Sequence, residues 1–524
     1  MGLYLNPGND MFQMSLNSEI YVDKTNLIKY TNKVLDSEQK YICVSRPRRF
    51  GKSMTAKMIM AYYDKSCDSY ELFKNLKISE DKNFDNHLNK YPVLHLDIQW
   101  FRSNANNGKD AILLFQKEVI AELRKEYPNC VNENDCYLPL VLAKINANTG
   151  NRFIIIIDEW DCLFREDKYD IEAQDEYIVL LRGLFKGNQA DRFVKLAYLT
   201  GILPIKKYGT QSALNNFREF TMVNPGPLAE YVGFTEKEVY FLCEKYNMDF
   251  DETKNWYDGY KFRKVKSIYN PKSVVEAMLN EEFDSYWTNT ETYESLKMYI
   301  DMNFDGLKDA IITMLGSGHC KINSRFFQND MTSFESKDDV LTLLVHLGYL
   351  GYDVDTSEVF IPNQEIANEF KNAIDGSGWS KIAQALEKSD ELLEATIVGN
   401  AEFVAKGISD IHLETTSVLN YNNENSLSCV IYIAYYSARK YYTLIREFPT
   451  GKGFADVVFL PRHNIDKPAI IVELKWDLSA EGAIEQIKNK NYIDSFNDYN
   501  GEIILVGINY NKTTKEHTCF IEKV

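Results

Sequence analysis

Five consecutive apolar residues, Phe153-Ile154-Ile155-Ile156-Ile157, run without interruption into Asp158-Glu159. A strand with one wet face alternates between apolar and polar. A strand apolar at every position needs cover on both faces, as in a parallel sheet layered between helices. The run therefore predicts a central parallel strand in an α/β domain. Ligands of such sheets bind at the carboxyl ends of the strands, so the two acids are expected at a binding crevice. Pro92–Asp97 and Phe193–Gly201 are further apolar runs of strand length, each ending in a polar group. His95, inside the first of them, reads as a core residue.

Upstream, Lys40–Ser45 reads as a short buried strand and Met54–Tyr63 has the apolar spacing of a helix. Between them lie Arg46, Pro47, Arg48, Arg49, Phe50, Gly51, Lys52 and Ser53. Strand, loop and helix, with Gly-Lys-Ser at the helix start, is the setting of a phosphate-binding loop running from Arg46 to Met54. Its backbone N–H groups and the helix N-terminus present partial positive charge to phosphates. Lys52 is expected at the β- and γ-phosphates of ATP and the Ser53 hydroxyl at Mg²⁺. Arg46 stands where such loops usually open with glycine. Asp158 is expected to hold Mg²⁺ and Glu159 to polarise an attacking water. Thr200, at its strand tip, either senses the γ-phosphate or turns the chain.

A second cluster lies near the other end. Gly453–Leu460 reads as a strand with Asp456 at its start, 461–468 as a polar turn, and Ala469–Trp476 as the next strand. Glu473 and Lys475 are two apart, so both face one side of an extended strand. Two charges inside an apolar run are costly unless paired or bound to metal. A hairpin brings Asp456 beside Glu473, and two carboxylates with a lysine suit Mg²⁺-assisted phosphodiester hydrolysis. Ala480–Tyr492 follows as an amphipathic helix, with Gln486 leaning toward the cluster and Lys488 and Lys490 offering phosphate contacts.

With 524 residues the chain exceeds one ordinary core, and 45% apolar with 26% charged residues suits a globular protein. No apolar run approaches bilayer length, and the opening residues lack signal-peptide character, so a cytoplasmic protein with no membrane partner is expected. The nine cysteines are scattered and never form C-x-x-C, which reads as reduced thiols. A net charge of −17 disfavours non-specific coating of nucleic acid but leaves a metal-dependent nuclease open. In the middle, Leu341–Leu350 predicts a helix with a glycine stop and Val359–Asn363 a short strand into a turn, together a winged-helix-like connector.

Tyr21-Val22-Asp23-Lys24-Thr25, the Arg46–Ser53 loop, Ile157-Asp158-Glu159-Trp160-Asp161, Trp256-Tyr257-Asp258-Gly259-Tyr260 and Tyr269-Asn270-Pro271 occur in this order. They resemble the AAA-ATPase-like family of bacterial proteins over most of residues 1–290. That family also has arginine at the first loop position. The Asp456, Glu473-x-Lys475 and Gln486 order resembles the PD-(D/E)XK nuclease superfamily over roughly the last quarter of the chain. There Ala455 replaces the family's proline, and the resemblance implies Glu424 as an additional acid near the metal. The implied architecture is α/β: a P-loop NTPase parallel sheet at 1–225, a helical subdomain at 226–290, a mostly helical connector at 291–390 and a restriction-endonuclease-like domain at 391–524. The implied function is an ATP-binding, ATP-hydrolysing protein coupled to Mg²⁺-dependent cleavage of nucleic acid, DNA more than RNA. The alternative is a nucleotide-gated binding or signalling protein whose nuclease-like domain recognises without cutting. Either is compatible with a homo-oligomer.

Overall fold

Phe153–Asp158 forms a strand buried at every position, with a parallel neighbour on each side. The computed structural model describes residues 2–208, 211–287, 293–302, 304–375, 379–415, 424–450, 453–462, 465–489 and 501–524. In the first sheet the strands are β1 (Tyr41–Ser45), β2 (Val93–Asp97), β3 (Phe153–Asp158), β4 (Val194–Gly201) and β5 (Arg218–Phe220). Their order is β2-β3-β4-β1-β5, all pairs parallel. Helix α1 (Lys52–Tyr63) follows β1 through the loop. Because β4 lies between β1 and β3, the loop and the acids of β3 end on one edge of the sheet, one strand apart.

The chain divides into two compact units, Met1–Glu291 with Lys321–Ile366, and Thr292–Cys320 with Ala367–Val524. In the first, helices Glu236–Tyr246, Phe250–Tyr257 and Pro271–Asn280 build a small core of Val239, Leu242, Tyr257 and Val274, into which Ile20 inserts from the N-terminal segment. Thr235 and Glu238 form a capping box that starts the first of these helices. The helix Lys337–Leu347 ends at Gly348, whose φ of 94° favours glycine, and the hairpin of Gly351–Asp353 with Glu358–Phe360 follows. Both pack on this unit. The Tyr260 hydroxyl donates to the Gly348 carbonyl at 2.7 Å, and the Asn363 amide to the Asp258 carbonyl at 2.8 Å.

The second unit contains a mixed sheet of β6 (Tyr442–Thr450), β7 (Gly453–Pro461), β8 (Ala469–Trp476), β9 (Ile503–Asn511) and β10 (Glu516–Lys523) in that order. Only β8 and β9 are parallel. A parallel pair needs a crossover, and helix α2 (Ala480–Asn489) lies on it. Its close approach depends on Gly507 of β9, where a Cβ would stand 2.1 Å from the Ala480 carbonyl oxygen and 3.0 Å from the Ala483 Cβ. A backbone oxygen cannot swing aside. Gly507→Ala is therefore expected to lift α2, cost about 1–3 kcal/mol by overpacking, and lower the melting temperature of this unit in calorimetry.

On the same unit, helix Ala401–Thr415 packs against β10 and brings His412 to His517, with Nδ1 and Nε2 3.1 Å apart. Ser409 Oγ lies 3.2 Å from His517 Nδ1, and the Tyr510 ring stacks near both imidazoles. One nitrogen of the close pair must donate and the other accept, so a second proton would set two N–H groups face to face. Burial holds His412 down to about 4 and His517 to about 3, the latter also lowered by His412. Unfolded histidine titrates near about 6.5. Below that value the unfolded state binds more protons, so the stability these neutral rings contribute is intact above pH 6.5 and is lost as pH falls toward 4. The expected result is a falling melting temperature over that window, less steep in His517→Gln.

Candidate functional sites

The phosphate loop is shaped by two left-handed residues, Arg49 (φ 66°) and Gly51 (φ 89°). No atom lies within 4 Å of where a Gly51 Cβ would stand, so glycine serves the backbone conformation and not a tight fit. Phe50 is buried with its ring edge-on to Tyr260, centroids 5.2 Å apart, and Trp287 Nε1 donates to the Arg48 carbonyl at 3.2 Å. These two contacts brace the loop. The loop lines a cavity of about 670 Å³. Arg48 to Thr55, Asp158, Glu159 and Arg165 line it, together with the apolar Ile20, Val22, Phe234, Pro271 and Val275 and the charged Lys24, Lys272 and Glu276. Cationic loop residues and apolar side chains lining one cavity fit a nucleoside triphosphate.

Lys52 is buried, and its Nζ donates to the Pro47 carbonyl at 2.9 Å. Burial pulls its pKa down, opposed by Glu159 and Asp158. Asp158 is buried at the end of β3, accepting from the Thr200 hydroxyl and from the Glu159 backbone N–H at 3.1 Å. Glu159 has a left-handed backbone (φ 51°), and its carboxylate pairs with Arg165 Nη2. Burial raises the Glu159 pKa, opposed by Lys52 and Arg165. Asp97 lies level with Asp158 across the β2–β3 register and also lines the cavity. Ser53 and Met54 line it as well.

Arg46 requires a correction. Its side chain has no exposure and points into the protein, Nη1 donating to the Ser45 and Phe220 carbonyls at 2.9 and 3.0 Å, with the guanidinium 5.2 Å from the Phe262 ring centroid. Its backbone N–H is bonded to the Gly201 carbonyl, 3.0 Å. It supports the loop and does not line the cavity, held by the Ser45 and Phe220 carbonyls and the Phe262 ring. Burial brings its pKa down to about 10. Pro47 contributes a carbonyl to Lys52. The Thr200 hydroxyl is bonded to Asp158, and Thr200 does not line the cavity.

Arg165 escaped the sequence reading. It sits on the short helix Cys162–Glu166, and its Nε is 3.2 Å from Asp161 Oδ2. The available signal was the i,i+4 spacing of Asp161 and Arg165. Asp161 itself is fully buried, accepting from the Ile202 and Leu203 backbone N–H groups at 3.0 and 2.7 Å. It ties the exit of β4 to that of β3.

The second cluster forms on β7, β8 and α2. Lys475 Nζ donates to Glu473 Oε1 at 3.0 Å and to Gln486 Oε1 at 2.7 Å, and Gln486 Nε2 donates to the same Glu473 oxygen. Asp456 Oδ2 accepts from the Leu474 backbone N–H at 2.7 Å. Asp456 is the fourth residue of β7 and not its start, because pairing with β6 already begins at Gly453. Glu473 is 2% exposed, and a carboxylate so buried calls for cations. Among the described residues no three His, Cys, Asp or Glu side chains gather to hold a metal. Two carboxylates with hard oxygens fit Mg²⁺, which usually keeps several of its waters. Glu424 opens helix Glu424–Ala434, and its side chain lies outside the described residues. Lys488 pairs with Glu522 at 2.6 Å, and Lys490 lies outside the described residues.

Residues 9–210 match the family model described as "Predicted AAA-ATPase", and residues 422–519 that of the PD-(D/E)XK nuclease superfamily. A curated relative from Azotobacter chroococcum mcd 1, an uncharacterized protein in the vnfD 5' region, is 27% identical over 278 residues, which is 52% of this chain and 51% of the relative. The match thus spans about half the length of that relative. Among solved structures, the ORC2 protein of Aeropyrum pernix in its ADPNP-ADP complexes is 13% identical, covering 68% of this chain and 98% of that one, with a TM-score of 0.23. The replication initiator DnaA bound to AMPPCP and single-stranded DNA is 10% identical, covering 77% and 96%, with a TM-score of 0.25. No described helix is long and apolar enough to cross a membrane.

Proposed function

The chain joins an AAA-ATPase-like module to a PD-(D/E)XK nuclease superfamily domain, and from that premise we propose an ATP-hydrolysing protein that controls metal-dependent cleavage of nucleic acid. The observation that carries the nuclease half is the convergence of Glu473, Lys475 and Gln486 on one hydrogen-bonded cluster, with Asp456 anchored to the adjoining Leu474. Asp456 and Glu473 are the residues that would hold Mg²⁺, whose role is to polarise the scissile phosphate and acidify a bound water. Lys475 orients that water and offsets charge growing on the phosphoryl oxygens. Gln486 keeps the lysine aimed.

At the other site the Arg48–Thr55 segment cradles the triphosphate and the apolar side chains take the base. Lys52 exchanges its Pro47 carbonyl for phosphate oxygens. Asp158 and Ser53 are the residues that would hold Mg²⁺, and Glu159 takes the proton of the attacking water. Arg165 restrains Glu159 until a terminal phosphate competes for the guanidinium. DNA is the favoured substrate and RNA the second. The test is single-turnover cutting of DNA and RNA with Mg²⁺ in ATP, ADP, a non-hydrolysable analogue or no nucleotide. Cutting that differs between ATP and ADP supports the reading. No cutting under any condition, with ATP still bound, replaces it with a nucleotide-gated binding protein.

A further inference from the structure

The ATPase-bearing unit has a second cavity that the proposed reaction does not use. It holds about 860 Å³ between the segment 19–26, the helix Glu236–Tyr246 and the loop 264–267. That is toward the upper end of the roughly 300–1,000 Å³ typical of ligand sites. The chain is acidic, with a net charge of −17, yet six lysines line this hollow: Lys24, Lys77, Lys237, Lys245, Lys264 and Lys266. Lys24 is committed to Glu238, and Glu236 is committed to Lys254. Among the described residues Lys237, Lys245, Lys264 and Lys266 form no ion pair. The acids left to oppose these cations are Glu19, Asp23 and Glu230. Lys77 donates to the Asp23 carbonyl at 3.2 Å and Lys245 lies over the Tyr246 ring, and four ammonium groups without a carboxylate partner around one concavity suit an anion with several charged groups, phosphates above all.

The wall is not only cationic. Phe241, 67% exposed, lines the same hollow together with Tyr21 and Tyr231. An exposed phenyl face has nothing to offer a bare inorganic anion, but it stacks on a nucleobase whatever the base. Phosphate-seeking lysines beside an exposed aromatic are the combination that single-stranded nucleic acid selects. We propose that this hollow binds a single-stranded oligonucleotide, lysines on the phosphodiesters and Phe241 on a base. Tyr21, Val22, Lys24 and Tyr231 line both this cavity and the nucleotide cavity. A ligand that fixes the shared wall on one side changes the energy of binding on the other, and the coupling is reciprocal. The oligonucleotide is thereby an effector of ATP binding, whether or not the carboxylates of the other unit cut it.

The test uses the full chain carrying Lys475→Ala, without divalent metal, and a fluorescein-labelled 12-nucleotide single strand read by anisotropy. Adding Lys245→Glu, Lys264→Glu and Lys266→Glu together is expected to weaken binding more than tenfold. The slope of log affinity against log salt should fall by about 2, at roughly 0.7 per lost phosphate contact. Phe241→Ala is expected to weaken binding about tenfold with the slope unchanged. ATP affinity should stay within twofold in both variants, which reports that the fold is intact. Photocrosslinking of a 5-iodouracil strand should label residues 231–266. Crosslinks confined to residues 442–523, no binding by the starting chain, or equal displacement by inorganic phosphate would each overturn the proposal. Cleavage plays no part in these readouts, so failure of the nuclease reading leaves this result standing and the reverse also holds.

Discussion

Lys475→Ala is expected to lower the proposed metal-dependent phosphodiester cleavage about 10²–10³-fold, the usual loss on deleting one preorganised charge-stabilising group, and to leave ATP binding unchanged. The expectation follows from where the ammonium is. It lies 3.0 Å from Glu473 Oε1 and 2.7 Å from Gln486 Oε1, on the face of β8 that α2 covers. Alanine leaves the Glu473 carboxylate buried with one cation fewer, so metal affinity should hold or rise while the chemical step fails. A cleavage assay paired with a Mn²⁺ titration separates the two. Weakened metal binding in step with lost cutting would mean that the lysine only arranges the carboxylates. Full cutting without the lysine would remove it from the mechanism.

The second large effect is at the nucleotide site. Glu159→Gln is expected to slow ATP turnover about 10²–10⁴-fold, the range for loss of a positioned general base, with ATP affinity nearly unchanged. The side chain keeps its length, but the amide can no longer take a proton or pair with Arg165 as a charge. Asp158 and Lys52, the residues proposed to meet the triphosphate, are untouched. The variant should therefore collect in the ATP-bound state, visible as retained nucleotide after gel filtration. Turnover within a few-fold of wild type would show that another group activates the water.

Much of this arrangement is legible in local patterns. An uninterrupted apolar run demanded a doubly covered strand, and β3 is buried along its whole length. The two-residue spacing of Glu473 and Lys475 put both on one face of β8, where they meet. Gln486 lies one crossover away, and its helix can come close because Gly507 leaves room, a contact no local pattern reveals. Arg46 misled for a related reason. It opens the phosphate loop in sequence, whereas its partners Phe220 and Phe262 are supplied by segments far along the chain that turn it inward. Trp287 holding the Arg48 carbonyl is invisible for the same cause, being 239 residues from the loop it braces. Arg165 was within reach, since its spacing from Asp161 is that of a helical ion pair.

The measurement that bears most directly on an ATP-controlled nuclease is cleavage of single- and double-stranded DNA and RNA with Mg²⁺, with and without ATP, by wild type and by Lys52→Ala. The account predicts that ATP changes the wild-type rate at least about tenfold, a coupling of the size usual between linked sites. Lys52→Ala should cut at one rate whether ATP is present or absent. Equal wild-type rates with and without ATP, or no cutting of any strand by a chain that binds ATP, would contradict it.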